Sequence, residues 1–282
     1  MDSKLKISII IPVHNQFNLL DNCLKSIYKC IDKKKIHYEI ILSDSNSDRY
    51  LSDYYNLLDF NNLFSKRQVK IIRDEEKPGF SRAVNNGMKI ACKSSDYYIW
   101  LNSDTLLTKD CFDSLLTKEY DLCSSMSNNA TYQSMIVTEK QWLPDIEKFI
   151  QVNKVFLSQL NLKVDFLNGF CYIINNKVFK TIGFLDEMRF PHYASEDDYS
   201  LRAKIKGFQA TILCDSFIFH HGNQSYQEKQ HSKLRQADKI FLSRYPEAWF
   251  KQLIKTHTIK TRNLRQQIVE RYLQWQKRKS EK

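Results

Sequence analysis

The chain has 282 residues, 42% of them apolar and 13% aromatic, enough to bury a substantial core and too apolar for a disordered protein. Six Gly and five Pro exclude low-complexity linkers. The net charge of +11 admits nucleic acid, an anionic membrane surface or a phosphorylated substrate as partner.

Seven scattered Cys, never spaced Cys-x-x-Cys, read as reduced structural thiols rather than disulfides or a zinc site. No apolar run approaches the roughly 20 residues that span a bilayer. The early run 7–13 lacks the small-residue cleavage site of a secretory signal, so a cytosolic protein is expected.

In chain order, residues 6–13 form an Ile-rich run that predicts a strand buried on both faces and ended by Pro12. Apolar residues at 17, 20, 24, 27 and 28 predict a helix. A second strand is expected over 38–43, a helix over 51–63, a short strand over 69–72, a helix over 80–92 and a strand over 97–101. This alternation implies a parallel sheet with helices on both faces. Three strand ends carry polar clusters: His14-Asn15, 44–48 and 102–105. One such cluster is an ordinary turn; three at corresponding ends point to a binding crevice. No G-x-G-x-x-G follows the first strand and no Walker sequence occurs, which disfavours dinucleotide and P-loop sites.

After Asp110 the alternation stops. Residues 121–131 are polar and rich in Ser and Asn. Pro144 near a first turn, followed by Asp145 and Glu147, predicts a helix over 144–160. A strand is expected over 164–174, a helix over 195–207 closed by Gly207, and one strand or a strand pair over 209–220. Trp142, Phe170 and Tyr172 are expected to pack in the core.

Ile9-Ile-Ile-Pro-Val-His-Asn15, Asp44-Ser-Asn-Ser47, Gly79-Phe-Ser-Arg-Ala-Val-Asn-Asn-Gly87 and Leu101-Asn-Ser-Asp-Thr105 follow one another in order. Asn168-Gly-Phe-Cys-Tyr172, Gly183-Phe-Leu-Asp-Glu187, Glu196-Asp-Asp-Tyr-Ser-Leu-Arg202 and His220-His-Gly222 come after them. The series resembles the ordered motifs of family 2 glycosyltransferases, in particular the bacterial rhamnosyltransferase-like branch. The resemblance runs from about residue 6 to 226. It implies an α/β GT-A fold: a Rossmann-like nucleotide-binding half over 1–110 with a mostly parallel central sheet, and a mixed acceptor half over 111–226. A basic helical extension over 227–282 would follow.

The resemblance also implies inverting transfer of a sugar from a nucleotide-diphosphate sugar, with UDP the expected nucleotide. The acceptor would be a hydroxyl of a glycan or lipid-linked glycan in bacterial cell-surface glycan synthesis. Pro12, Val13, His14 and Asn15 would line the nucleoside, and Asp44 with Ser45 would meet the base or ribose. Gly79, Arg82 and Asn86 would border the donor. Asn102, Ser103 and Asp104 fall on the family's D-x-D motif, so Asp104 would hold a divalent cation, Mn²⁺ or Mg²⁺, with help from His220. Asn102 replaces the first Asp and weakens the chelating charge.

Inverting transfer needs a base for the acceptor hydroxyl. Three adjacent acids ahead of a helix suit its positive end, and their mutual repulsion suits a proton acceptor. The resemblance implies that Asp197 is the base; a register shift of one would give the role to Glu196. Asp198 would be a positioning group or helix cap, and Asn168 and Gly169 would border the acceptor. Asp186 reads as structural.

From Glu247 onward ten Lys/Arg face three Glu. Phe250, Leu253 and Ile254, then Leu264, Ile268, Tyr272 and Trp275, have helical spacing, and Pro246 separates two helices. Such helices could pack on the catalytic domain, form a dimer contact, or rest on an anionic bilayer with Tyr272 and Trp275 at its surface. A non-catalytic nucleotide-sugar or glycan-binding module is the alternative of another class, supported by Asn102; no motif supports nucleic-acid binding.

Overall fold

The computed structural model describes residues 4–53, 63–64, 68–76, 79–136, 139–222 and 230–281. The core is a nine-stranded mixed sheet in the order β3-β2-β1-β4-β8-β6-β9-β5, with β7 paired to β9.

Strand β1 (Leu5–Val13) lies at its centre, parallel to β2 (Ile36–Ser45) and β4 (Tyr97–Leu101); Ile9 stands opposite both Ile40 and Ile99. Successive β1 side chains face opposite ways. Ile7, Ile9, Ile11 and Val13 enter one core with Leu20, Leu24 and Ile27 of helix α1 (Phe17–Cys30). Ile10 enters the other with Val84 and Met88 of α2 (Phe80–Ile90). Each buried Ile of this kind contributes roughly 1.5–3 kcal/mol. A Cβ on Gly87 would run into Ile10, so only glycine lets α2 come this close. Strand β3 (Val69–Asp74) extends the parallel set and runs two residues past the expected Ile72. The helix expected over 51–63 lies largely outside the described residues.

Strand β5 (Thr105–Leu107) and the short helix α3 (Ser114–Thr117) follow β4. The polar stretch after residue 121 is a buried strand, β6 (Leu122–Met126). Its serines escape strand patterning because partners satisfy them: Gln133 Nε2 donates to Ser124 Oγ at 2.7 Å, and Ser125 Oγ meets Ser216 Oγ at 2.6 Å. Helix α4 (Leu143–Gln159) carries Pro144 in its first turn as expected. The single strand expected over 164–174 is two, β7 (Leu162–Val164) and β8 (Cys171–Asn175), with a loop between them. Tyr172 and Phe170 are core residues, but Trp142 is 51% exposed.

Helix α5 (Asn176–Ile182) leads to α6 (Ser195–Ile205). The Trp100 ring of β4 stacks on Tyr172 at 5.1 Å and meets Tyr199 of α6 edge-on at 5.0 Å. That aromatic trio fixes the acidic helix against the strand that leads into Asp104. Strand β9 (Ala210–His220) pairs first with β6 and then, past an irregularity, with β5, which sets His220 opposite Thr105.

Helices α7 (Gln230–Arg244) and α8 (Glu247–Ser280) flank Pro246. They share cores with the catalytic half: Phe241 and Tyr245 pack with Phe166, Phe190 and Leu201, and Leu264 and Ile268 join the core of β8 and β9. Tyr272 and Trp275 are half-buried and pack on Phe149, at 5.1 and 5.8 Å, as expected of helices resting on the catalytic domain. The Lys and Arg side chains at 251, 255, 260, 262 and 265 remain outside. No described helix is long and apolar enough to cross a membrane.

Candidate active site

A cleft of about 440 Å³ opens where β1, β2 and β4 end. Pro12, Val13, His14 and Ser45 line one wall together with Gly79 and Phe80. Asn102, Ser103, Asp104 and His220 form its floor. The far wall carries Tyr132, Gln133, Asn168 and Gly169 with Glu196 and Asp197. Strand ends in a parallel sheet leave polar side chains and loops at one edge, which is why the expected motifs meet there.

Four of the residues expected on the donor side stand just outside. Asn15 ties two loops together: its amide donates to Ser47 Oγ at 2.8 Å, and its side chain exchanges hydrogen bonds with Asp48 at 3.1 and 2.9 Å. Asp44 is fully buried; Arg73 donates to one carboxylate oxygen at 2.6 Å and the Ser47 amide to the other at 3.1 Å. It is therefore the buried anchor of the loop and not a residue lining the cleft. Arg82 and Asn86 turn to Asp74, at 2.5 and 2.7 Å, because that carboxylate at the end of β3 attracts both. Arg73 and Asp74 escaped the sequence reading; two charged residues closing a strand look like the start of a loop.

Asp104 is held from three sides. Its carbonyl accepts from the His221 amide and its Oδ2 from the Gly222 amide, both at 3.0 Å. Its Oδ1 lies 3.3 Å from His220 Nε2. Burial alone would raise this carboxyl, but the adjacent imidazole and the Gly222 amide hold it below the usual range. His220 stacks on Phe170 at 5.4 Å, and its Nδ1 faces the Asn129 carbonyl at 2.5 Å. A carbonyl only accepts, so Nδ1 carries a proton, and Nε2 is the nitrogen that faces Asp104 and Asn102. Asn102 Nδ2 stands 3.4 Å from that nitrogen. Asn128 and Asn129, on the Asn-rich loop after β6, hold the backbone of 220 and 221. Gly222 has φ +70°, and a Cβ there would strike the Asn129 side chain.

Glu196 and Asp197 open the first turn of α6. Glu196 lies against Gly169, where an added Cβ would come within 3.1 Å of Oε1, and accepts from Ser195 Oγ at 3.1 Å. Burial raises its carboxyl above the usual range. Asp197 is raised as well, first by burial and then by the charges of Glu196, Asp238 and Asp198. Among the described residues nothing hydrogen-bonds to the Asp197 side chain, so both oxygens are available to a ligand. Asp198 does not line the cleft and does not cap the helix: it is fully buried and bonded to Arg202 at 2.8 Å and to Tyr245 at 2.9 Å. Asp186 is structural as expected, paired with Arg189 and Arg244 at 2.8 and 2.9 Å.

The sequence profile described as glycosyl transferase family 2 matches residues 8–183, well over half of the chain. The chain belongs to glycosyltransferase family 2. No curated protein matches it by sequence. Solved structures show the GT-A fold. The mannosyltransferase PcManGT from Pyrobaculum calidifontis, in complex with GDP-Man and Mn²⁺, is 13% identical with a TM-score of 0.63 over 96% of this chain and 74% of that one. S. aureus TarS 1-349 is 14% identical with a TM-score of 0.55, over 92% of this chain and 71% of its own. GalNAc-T7 with UDP, GalNAc and Mn²⁺ is 15% identical with a TM-score of 0.59, over 80% of this chain and 45% of its own.

The family match stops at residue 183, yet this glycosyltransferase domain draws Glu196, Asp197 and His220 into the same cleft. Tyr132, Gln133, Phe166, His192 and Tyr193 also line it and escaped the sequence reading. They sit on loops and a short 3₁₀ turn (Thr131–Gln133), where no periodicity marks them.

Proposed function

We propose that the chain is an inverting glycosyltransferase, moving a sugar from a nucleotide-diphosphate sugar to a hydroxyl of a glycan or lipid-linked glycan. The observation that carries this is the sharing of one cleft by Asp104 and His220 on its floor and Glu196 and Asp197 on its far wall. Asp197 is the base. Its raised basicity suits proton abstraction, and its oxygens are uncommitted while Glu196 is tucked against Gly169 and Ser195. As the acceptor oxygen bonds to the sugar carbon, the bond from that carbon to the diphosphate oxygen breaks and the hydroxyl proton passes to Asp197. One displacement inverts the configuration.

The charge of the cleft bears on the leaving group. Asp104, Glu196 and Asp197 line it, and among the described residues no Lys or Arg does. A diphosphate placed there needs a cation. Asp104 Oδ1 and His220 Nε2, 3.3 Å apart with Nδ1 anchored on the Asn129 carbonyl, fit one as a partial ligand set, in which Nε2 would bind through its lone pair. No described group of three or more His, Cys, Asp or Glu forms a complete cage, so diphosphate oxygens would complete the coordination. A divalent ion held there, Mn²⁺ or Mg²⁺, would act as a Lewis acid on the departing diphosphate.

UDP-sugars and GDP-mannose are the first donors to screen, because structures of the same fold hold UDP or GDP-Man. Asp197→Asn should abolish transfer and spare nucleotide binding, while Glu196→Gln should retain measurable transfer. The reverse pattern would move the base to Glu196.

A further inference from the structure

The cleft around Asp197 has a wall backed by the C-terminal helix. Tyr132 and Phe166 line it, and His257 of α8 packs behind both, edge-on, at 4.5 and 5.6 Å between ring centroids. Phe250 closes on Phe166 at 5.8 Å. His257 is 1% exposed and neither of its ring nitrogens has a hydrogen-bond partner. Burial pushes it down to about 4, so it serves as a neutral aromatic brace.

Phe166 is buried, so of the two rings braced by His257 the half-buried Tyr132 is the one presented to a ligand; half-buried Tyr193 lines the cleft from the loop before α6. Its hydroxyl is raised by burial and by the Asp197 charge, and a hydrogen bond with Thr258 of α8 partly offsets this. Platform and base therefore stand together. The charged groups on this wall are two carboxylates, Glu196 and Asp197, with no Lys or Arg among the described lining residues. The nearby Arg202 and Arg244 are committed to Asp198.

We infer that the acceptor site takes an uncharged sugar ring, with its C–H face on Tyr132 and its reacting hydroxyl toward Asp197. The inference rests on the transferase reading above. An aromatic face carries partial negative charge and attracts the polarised C–H bonds of a sugar. A carboxylate or phosphate on the same ring would add a third acidic group beside Glu196 and Asp197, and no Lys or Arg among the described lining residues meets it. A polar platform tied to α8 also gives that helix a part in choosing the acceptor.

The test is saturation-transfer NMR on the full chain with Mn²⁺ and UDP. The probes are methyl hexosides of gluco, galacto and manno configuration and the matching methyl hexuronides. Ring protons of a neutral hexoside should be saturated, with its hexuronide weaker by about tenfold. Tyr132→Ala should lose the hexoside signal by a similar factor, and Tyr132→Trp should keep it, which separates a lost platform from a misfolded variant. Turnover of UDP-sugars and GDP-mannose is measured on the same samples: hexoside saturation without any turnover would sink the transferase reading rather than the sugar site. Saturation of hexuronides equal to that of hexosides, no hexoside signal at all, or an unchanged signal in Tyr132→Ala would overturn the inference.

Discussion

The Tyr245 hydroxyl donates to the Asp198 carboxylate at 2.9 Å, which joins the C-terminal helices to the residue after the proposed base. Arg244 reaches the same oxygen at 3.2 Å and Arg202 the other at 2.8 Å. Asp198 is fully buried, so a lost donor leaves its charge undercompensated. Tyr245→Phe should therefore cost about 1–3 kcal/mol, read from the denaturant midpoint. Ending the chain before residue 230 removes Tyr245 and Arg244 together and should give an inactive or insoluble protein. A soluble, fully active truncated chain would show the helices to be detachable.

Gly222 couples the floor of the cleft to its supporting loop. Its amide bonds Asp104, its φ is +70°, and a side chain there meets Asn129. Gly222→Ala should cost about 1–2 kcal/mol in backbone strain alone. It should also displace Asn129, whose carbonyl orients His220, and so lower activity more than stability. Paired measurements of melting temperature and kcat/KM would show the split.

His220 should matter through the cation. His220→Ala removes one of two protein ligands proposed at the floor and should raise the Mn²⁺ concentration for half-maximal activity at least tenfold, with orienting contacts as the guide to scale. An unchanged metal titration would remove His220 from that role.

Asp197 has a pH signature of two parts. Catalysis needs it ionised, so kcat/KM should rise with pH through a value above the ordinary carboxylate range of about 4. Stability runs the other way. A carboxyl whose folded pKa is raised binds more protons folded than unfolded between the two values, so stability falls as pH climbs through that window. Asp197→Asn should thus be inactive yet more stable than the native chain at neutral pH, with the gain vanishing below about pH 4. Thermal melts of both proteins across pH 3–9 would decide it.

Much of this was legible in the sequence because a parallel sheet declares itself. The Ile run of β1 and the polar corners after β1, β2 and β4 marked the cleft before any coordinates. The aromatic lining of the far wall did not declare itself, because Tyr132 and Tyr193 lie in irregular backbone without periodicity. Strand β6 was hidden by Ser124 and Ser125, which are apolar in neither pattern nor chemistry but are satisfied by partners from distant segments. Asp198 read as a positioning group or helix cap; its partners Tyr245 and Arg244, which follow β9 in the chain, make it a buried structural residue. The helical spacing of Tyr272 and Trp275 was legible, but spacing alone does not name the residue a face packs on, which is Phe149.

The central claim is a single-displacement transfer with Asp197 as base. Proton NMR of the product's anomeric centre, formed from a turned-over nucleotide sugar by the native chain and by Asp197→Asn, tests it most directly. The account predicts inverted configuration from the native chain, and no product from Asp197→Asn although it binds the nucleotide with native affinity. Retained configuration, or native-level product from Asp197→Asn, would contradict it.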